Sequence, residues 1–425
     1  MWHQKIIQIF KIRDLRQKIF FVLAMMAIFR LIANIPVPGI NPENLRRFFE
    51  QYRMFGLLNV FVGGTLSNLS IGMLGLGPYI TAVILMQLLS LIFPQLERMY
   101  KEEGEAGRQK FNQYGRILTV PLAGLQSFGM LMLLQREGAI EFLSPFFLFT
   151  SIVTITAGTV FLMWIGELIS EKGIGNGISL LIFGGIVART PAYIREILIN
   201  WDPSKAPNYL LFFGMALIII AGVVMINEAR RNIPVSYAKR VRGMRMYGGV
   251  STYLPLNINP AGVIPIIFAL AILLFPTMLA NFLGEGGGIV GLIAKRGALF
   301  FENPWIHGIS YFILVFLFTY FYTAVTFDPQ AISTNLQKMG GFIPGIRPGK
   351  STADFLTYVL HRVLFVGALF LGTIALLPSI IQAITDVRQF SFLIGGTSLL
   401  IIVAVVLETV QQIKAQLQMR EYETF

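Results

Sequence analysis

Apolar residues in this chain gather into ten long runs, separated by polar or basic segments. The runs lie at about 19–35, 76–93, 115–134, 146–168, 177–190, 208–226, 260–282, 308–327, 359–377 and 391–410. A helix needs about 20 apolar residues to cross roughly 30 Å of hydrocarbon. Each run therefore predicts a membrane-spanning helix, the fifth a short one. Ahead of them, Trp2 to Phe20 alternates charge with Ile6, Ile7, Phe10, Leu15 and Ile19. That pattern predicts an amphipathic helix lying in the membrane interface as an anchor. Ten spans divide into two sets of five, over residues 1–205 and 206–425. An odd number of spans per half makes the second half enter the membrane inverted, and inverted repeats place a pathway at their interface. No repeat of sequence between the halves is visible, so the symmetry rests on span count. The expected fold class is an all-α integral membrane protein.

Composition agrees with that class. Of 425 residues, 55% are apolar and 13% charged, against about 25% charged in a soluble protein. There are 34 Lys and Arg for 22 Asp and Glu. Such a balance suits nucleic-acid contact or the cytoplasmic loops of a membrane protein, and the apolar runs favour the loops. With the N-terminus inside, the inner segments hold 23 basic residues and the outer segments ten, Arg30 lying within the first span. Both termini are expected in the cytoplasm. The region before the first run shows no small-residue cleavage site, and no removable signal peptide is read there. Absence of cysteine excludes disulfides, thiolate metal sites and a cysteine nucleophile.

Ion-coupled transporters carry an ionisable group in mid-membrane. Here Glu167, Glu228, Asp328 and Glu408 all fall at the inner ends of their spans. Arg30, toward the outer end of its span, suits a snorkelling or backbone-pairing role. His3, His307 and His361 are isolated, and no zinc-protease pair, nucleophile elbow or Walker loop appears. No enzyme and no cofactor are expected, and ATP would be used by a partner.

One segment breaks the pattern. From Gly56 to Pro78 the chain is apolar but interrupted by Gly56, Gly63, Gly64, Gly72, Gly75 and Gly77. Gly and Pro weaken helix interiors by about 1 and 3 kcal/mol. Non-helical backbone at membrane depth persists only where protein buries it or water reaches it. The segment either re-enters the membrane from outside or forms an ordinary outer loop with a short helix.

Six strings, in order and at their spacings, carry a resemblance. They are IPVPGIN (Ile35 to Asn41), GPYITAVILMQLL (Gly77 to Leu89), GIGNGISLLIF (Gly173 to Phe183), NPAGVIPIIFA (Asn259 to Ala269), FIPGIRPGKST (Phe342 to Thr352) and GGTSLLI (Gly395 to Ile401). Together they closely resemble the SecY family, the central subunits of bacterial protein-translocation channels, over nearly the whole chain. The resemblance implies a clamshell of ten helices with an hourglass pore, a re-entrant plug helix and a lateral opening toward lipid. It implies a channel for unfolded precursor polypeptides that releases transmembrane segments sideways into membrane lipid. It also implies a bacterial plasma (inner) membrane location. The implied partners are the small membrane subunits SecE and SecG, the SecA motor ATPase, the ribosome and signal-bearing precursors.

Carried over motif by motif, the apolar ring at the waist comprises Leu76, Ile80, Ile182, Ile186, Ile267 and Ile401. Leu76 departs from the isoleucine usual in the family. The pairs 76/80 and 182/186 are four apart and share a helix face. A narrow apolar collar sheds water and blocks ions. The competing reading for each residue is plain core packing or lipid contact. The plug falls at about 57–74, with Leu57, Val60, Phe61, Gly63, Gly64, Leu66, Leu69 and Ile71. Gln87 and Gln126 stand as polar groups of the lateral gate, or else bond locally to backbone. Two basic inner loops are expected at about 228–258 and 328–358. Arg230, Arg231, Lys239, Arg240, Arg242 and Arg245 could dock on ribosomal RNA phosphates or an acidic protein surface, or could simply fix topology. Arg347, between Pro344 and Pro348, is by resemblance a contact for the motor or the ribosome. The alternative function is an inverted-repeat secondary transporter of a small solute, which would need a mid-membrane carboxylate or a dense polar pocket.

Overall fold

The computed structural model describes residues 11–37, 69–136, 138, 140–199, 203, 206–237, 240–242, 245–247, 251–270, 272–273, 304–385 and 396–423. Helices follow the apolar runs, with the short polar α3 between two of them: α1 (Arg13–Ile32), α2 (Gly77–Ile92), α3 (Pro94–Lys101), α4 (Gly104–Arg136), α5 (Pro145–Lys172), α6 (Gly177–Ile199) and α7 (Ala206–Glu228). After a sheet region come α8 (Pro304–Thr326), α9 (Pro329–Lys338), α10 (Lys350–Thr385) and α11 (Gly396–Glu423). In the seventh run, 264–270 is helical. Among the described residues, six helices are long and apolar enough to cross a membrane. A seventh counts if α2 and α3, bent by 111° at their junction, form one span.

Local chemistry sets the helix ends. Pro94 cannot donate to the α2 ladder and opens α3 instead, so the chain turns sharply after Phe93. Ser144 caps α5 by accepting from the Phe147 N–H at 3.5 Å, with Pro145 at the first helical position. Asp328 caps α9 by accepting from the Gln330 and Ala331 N–H groups at 2.9 and 3.0 Å. Several helices run past the predicted spans. α4 starts at Gly104 rather than near 115, and α10 starts at Lys350 rather than near 359. Their first turns are polar, which an apolar-run count misses although the residues favour helix. α6 likewise runs to Ile199, through Pro191.

Without water to drive helices together, association inside a membrane relies on close packing and small residues. Gly158 of α5 lies so near Ile71 that an added Cβ would meet the Ile71 backbone. Gly177 sits on the Gly166 backbone, and Gly367 of α10 on the Ile258 backbone.

The all-α expectation is corrected at the basic loop of about 228–258, which is built as a sheet because its apolar residues alternate at the period of a strand. β1 (Arg230–Tyr237) pairs antiparallel with β4 (Ser251–Asn257), from Arg230 opposite Asn257 to Ser236 opposite Ser251. Between them, β2 (Arg240–Arg242) and β3 (Arg245–Tyr247) form a two-stranded ribbon. The other edge of β1 takes β5 (Gly341–Phe342), with Ser236 opposite Phe342. Ile233, Val235 and Leu256 of the sheet pack on Leu336 of α9, Ile343 and Leu356 of α10. The two basic loops read separately from sequence thus share one hydrogen-bonded sheet and one small core.

A candidate pore constriction and its surroundings

Leu76 precedes α2 in a tight turn where Gly75 adopts a positive φ of 54°. Ile80 follows one turn later, its N–H donating to the Leu76 carbonyl at 3.0 Å. Ile182 and Ile186 lie one turn apart on α6, Ile267 in the 264–270 stretch, and Ile401 near the start of α11. All six are buried, with Ile401 only 1% exposed. They belong to one apolar cluster, together with Val22 and Phe29 of α1, Leu162 and Ile165 of α5, and Val405 of α11. A small apolar recess opens beside Leu76, Ile80 and Ile182, walled by Phe29 and Leu181. Phe268 stacks edge-on against Phe318 and Tyr322 of α8, each at 6.0 Å. Residues of both sequence halves therefore meet in one dry patch. The six Leu and Ile side chains offer no hydrogen bond to water or ions, the condition for a barrier that works by dewetting.

Of the expected plug residues, Leu57, Val60, Phe61, Gly63, Gly64 and Leu66 lie outside the described residues. Leu69 and Ile71 lie within them, at the end of the segment. There the chain is tied to residues 35–37 just after α1. The Val37 N–H donates to the Leu69 carbonyl at 2.8 Å, and the Ile71 N–H to the Ile35 carbonyl at 2.9 Å. Leu69 is 2% exposed and takes a left-handed φ of 38°. That conformation costs a non-glycine about 1–2 kcal/mol. Burial of a leucine outweighs it, since truncating one in a core costs about 2–5 kcal/mol.

Gln87 is on α2 and Gln126 on α4, adjacent helices of one wall. Gln87 is buried, and its Oε1 has no hydrogen-bond partner among the described residues. Gln126 is half-buried.

Arg230 and Arg231 are exposed on β1. Lys239 lies outside the described residues, and Arg240, Arg242 and Arg245 fall on the β2–β3 ribbon. Arg347 is exposed on the turn between β5 and α10. That turn is firmly built. Gly345 and Gly349 take positive φ of 82° and 98°. The Arg347 carbonyl accepts from Thr352 Oγ1 at 2.9 Å, and the Gly349 carbonyl from Ser333 Oγ of α9 at 2.6 Å.

Two features escaped sequence reasoning. Arg116 of α4 donates its Nε–H to Glu167 Oε1 of α5 at 2.7 Å. The Glu167 side chain is 17% exposed and that of Arg116 42% exposed. The two residues are 51 apart in sequence, and no local pattern links them. The second is the Gly173–Gly177 turn, whose glycines mark a motif without showing what holds it.

A family model described as SecY matches residues 70–410. The chain belongs to the SecY family. Among its relatives, the "Protein translocase subunit SecY" of Streptomyces scabiei is 43% identical, covering 98% of each chain. The SecY protein of the same description from Thermotoga maritima is 44% identical, covering 100% of this chain and 98% of the relative. Among solved structures, one described as a protein conducting channel has a TM-score of 0.65 at 20% identity, covering 93% of this chain and 91% of that one. Sec61 in a canine ribosome–channel complex from the endoplasmic reticulum has a TM-score of 0.61 at 20% identity, with the same coverage. These two share the SecY-type channel fold with the chain.

Proposed function

We propose that this chain is the membrane-embedded, pore-forming subunit of a protein-translocation channel. It passes unfolded precursor polypeptides across the bacterial plasma membrane and releases apolar segments sideways into lipid. The observation that carries this reading is the single buried cluster to which Leu76, Ile80, Ile182, Ile186, Ile267 and Ile401 all contribute. Such a collar closes when idle and parts around a threading chain, because its contacts are non-directional and easily replaced by those of another apolar or extended segment. No bond chemistry is needed, and the driving force comes from a partner.

Ten spans in two inverted halves, both termini cytoplasmic, complete the architecture we infer. The segment at about 57–74 serves as plug, its end held to residues 35–37. The lateral gate runs beside Gln87 and Gln126, where the buried Gln87 Oε1, without a partner among the described residues, is an acceptor that an inserting segment can satisfy at little cost. On the cytoplasmic side the sheet and the Arg347 turn form one docking body for the SecA motor or the ribosome. Arg230, Arg231, Lys239, Arg240, Arg242 and Arg245 supply its positive charge. SecE and SecG complete the complex. The name borne by the relatives supports protein transport, and nothing in them supports a small-solute transporter.

The test is transport in proteoliposomes carrying the channel complex, SecA, ATP and an unfolded precursor. Protease-protected precursor should accumulate. Arg347→Glu should cut its rate several-fold while leaving the channel protein's abundance unchanged. Failure of the unmodified complex to protect any precursor would remove the function, and normal transport by Arg347→Glu would remove the docking role.

A further inference from the structure

The turn between α5 and α6 is held from several directions. Within it, the Gly177 N–H donates to Ser170 Oγ at 2.9 Å. Asn176 Oδ1 accepts from the Ile178 and Ser179 N–H groups at 3.1 and 3.3 Å, capping α6. Those bonds are local. The Gly175 N–H instead donates to Gln412 Oε1 of α11 at 2.8 Å, across 237 residues of sequence. Gly175 takes a φ of +90°, which L side chains rarely adopt. A Cβ there would meet Leu180 Cδ1 at 3.0 Å and Thr409 Oγ1 at 3.4 Å. The α11 helix therefore lies close against this turn, and the turn is shaped to aim one amide at it.

Both elements joined by this bond supply the constriction. Ile401, Val405, Thr409 and Gln412 are spaced by four, four and three residues and share one face of α11. Ile401 and Val405 lie in the central cluster, as do Leu180, Ile182 and Ile186 of α6. Gln412 thus stands about 16 Å along the axis from Ile401, at the far end of the same stripe. It grips the turn from which α6 begins. Its partner is a backbone donor, so the contact fixes position rather than merely filling space.

We propose that Gln412 is a positioning residue for the constriction, holding α11 against α6 through the Gly175 amide so that Ile401 stays in register with Ile182 and Ile186 in the idle channel. The proposal rests on the constriction inferred above. Gln412→Leu removes the acceptor and leaves the Gly175 N–H without its partner. A net hydrogen bond is worth roughly a fivefold change in an equilibrium, so resting ion leak should rise roughly fivefold. Gln412→Glu keeps an acceptor oxygen at the same reach and should leak like the unmodified channel, an outcome that loss of bulk packing would not produce.

The measurement is resting conductance of the reconstituted channel complex in planar bilayers. The variants are Gln412→Leu, Gln412→Glu and a ring variant with Ile80, Ile186 and Ile401 all changed to glycine. Leak in Gln412→Leu, with near-normal conductance in Gln412→Glu, supports the proposal. A quiet Gln412→Leu beside a leaking ring variant overturns it while sparing the constriction, and equal leak from the Leu and Glu variants overturns it too. A quiet ring variant overturns the constriction itself, and the proposal with it. Should Gln412→Leu fail to accumulate, Gln412→Met of similar length takes its place, judged by the same comparison.

Discussion

Gly158 shows how much one hydrogen can matter at the residue scale. An added Cβ would strike the backbone of Ile71, which cannot swing away as a side chain can. Gly129 of α4 has nothing within 4 Å of the same position. Gly158→Val should therefore destabilise by about 1–3 kcal/mol through overpacking. Gly129→Ala should be neutral or stabilise by up to about 1 kcal/mol through helix propensity. Thermal unfolding in detergent separates the two: the midpoint falls for the first and holds or rises for the second. A lowered midpoint for Gly129→Ala, or an unchanged one for Gly158→Val, contradicts the packing described. Sequence alone flagged the glycines of the broken segment as weakening a helix there. It could not show that Gly158, inside an ordinary apolar run, makes room for that segment's end.

At the element scale, α4 and α5 are joined by the Arg116–Glu167 pair. The carboxylate is the more buried partner, and the arginine reaches water. Arg116→Gln should strand a poorly solvated carboxylate, costing about 1–3 kcal/mol once exposure is discounted. The double variant Arg116→Gln, Glu167→Gln removes the charge that needed a partner and should recover part of the loss. A double-mutant cycle on thermal stability reads this directly, and strictly additive losses would show that the pair is not coupled. Elements were legible in unequal measure. The long apolar helices were plain because roughly twenty apolar residues admit few other fates. The polar first turns of α4 and α10 were invisible to the same count, since leaving an apolar run does not end a helix. The sheet was half visible: Ile233 and Val235 alternate with exposed Asn232 and Pro234, the period of a strand. The dense arginines drew attention to charge, and β5, about a hundred residues away, carries too little pattern to announce its pairing.

Across the whole molecule, the decisive feature is convergence. The proposed ring residues, from Leu76 just before α2 and from α2, α6, the 264–270 stretch and α11, are up to 325 residues apart in sequence, from Leu76 to Ile401, and share one buried cluster. Periodicity alone offered each of them core packing or lipid contact as readily as pore lining. Family motifs selected the set, and packing places all six in one buried cluster. The pair α6 and α11 then links the two halves at the constriction and, through Gln412, at the Gly173–Gly177 turn as well. A channel built this way needs its apolar waist to stay dry when no polypeptide is present. Single-channel recording in planar bilayers tests that most directly, comparing the unmodified complex with one carrying Ile80→Gly, Ile186→Gly and Ile401→Gly. A quiet resting state is expected for the first and frequent ion-conducting openings for the second. Equal, near-zero conductance in both would contradict that expectation.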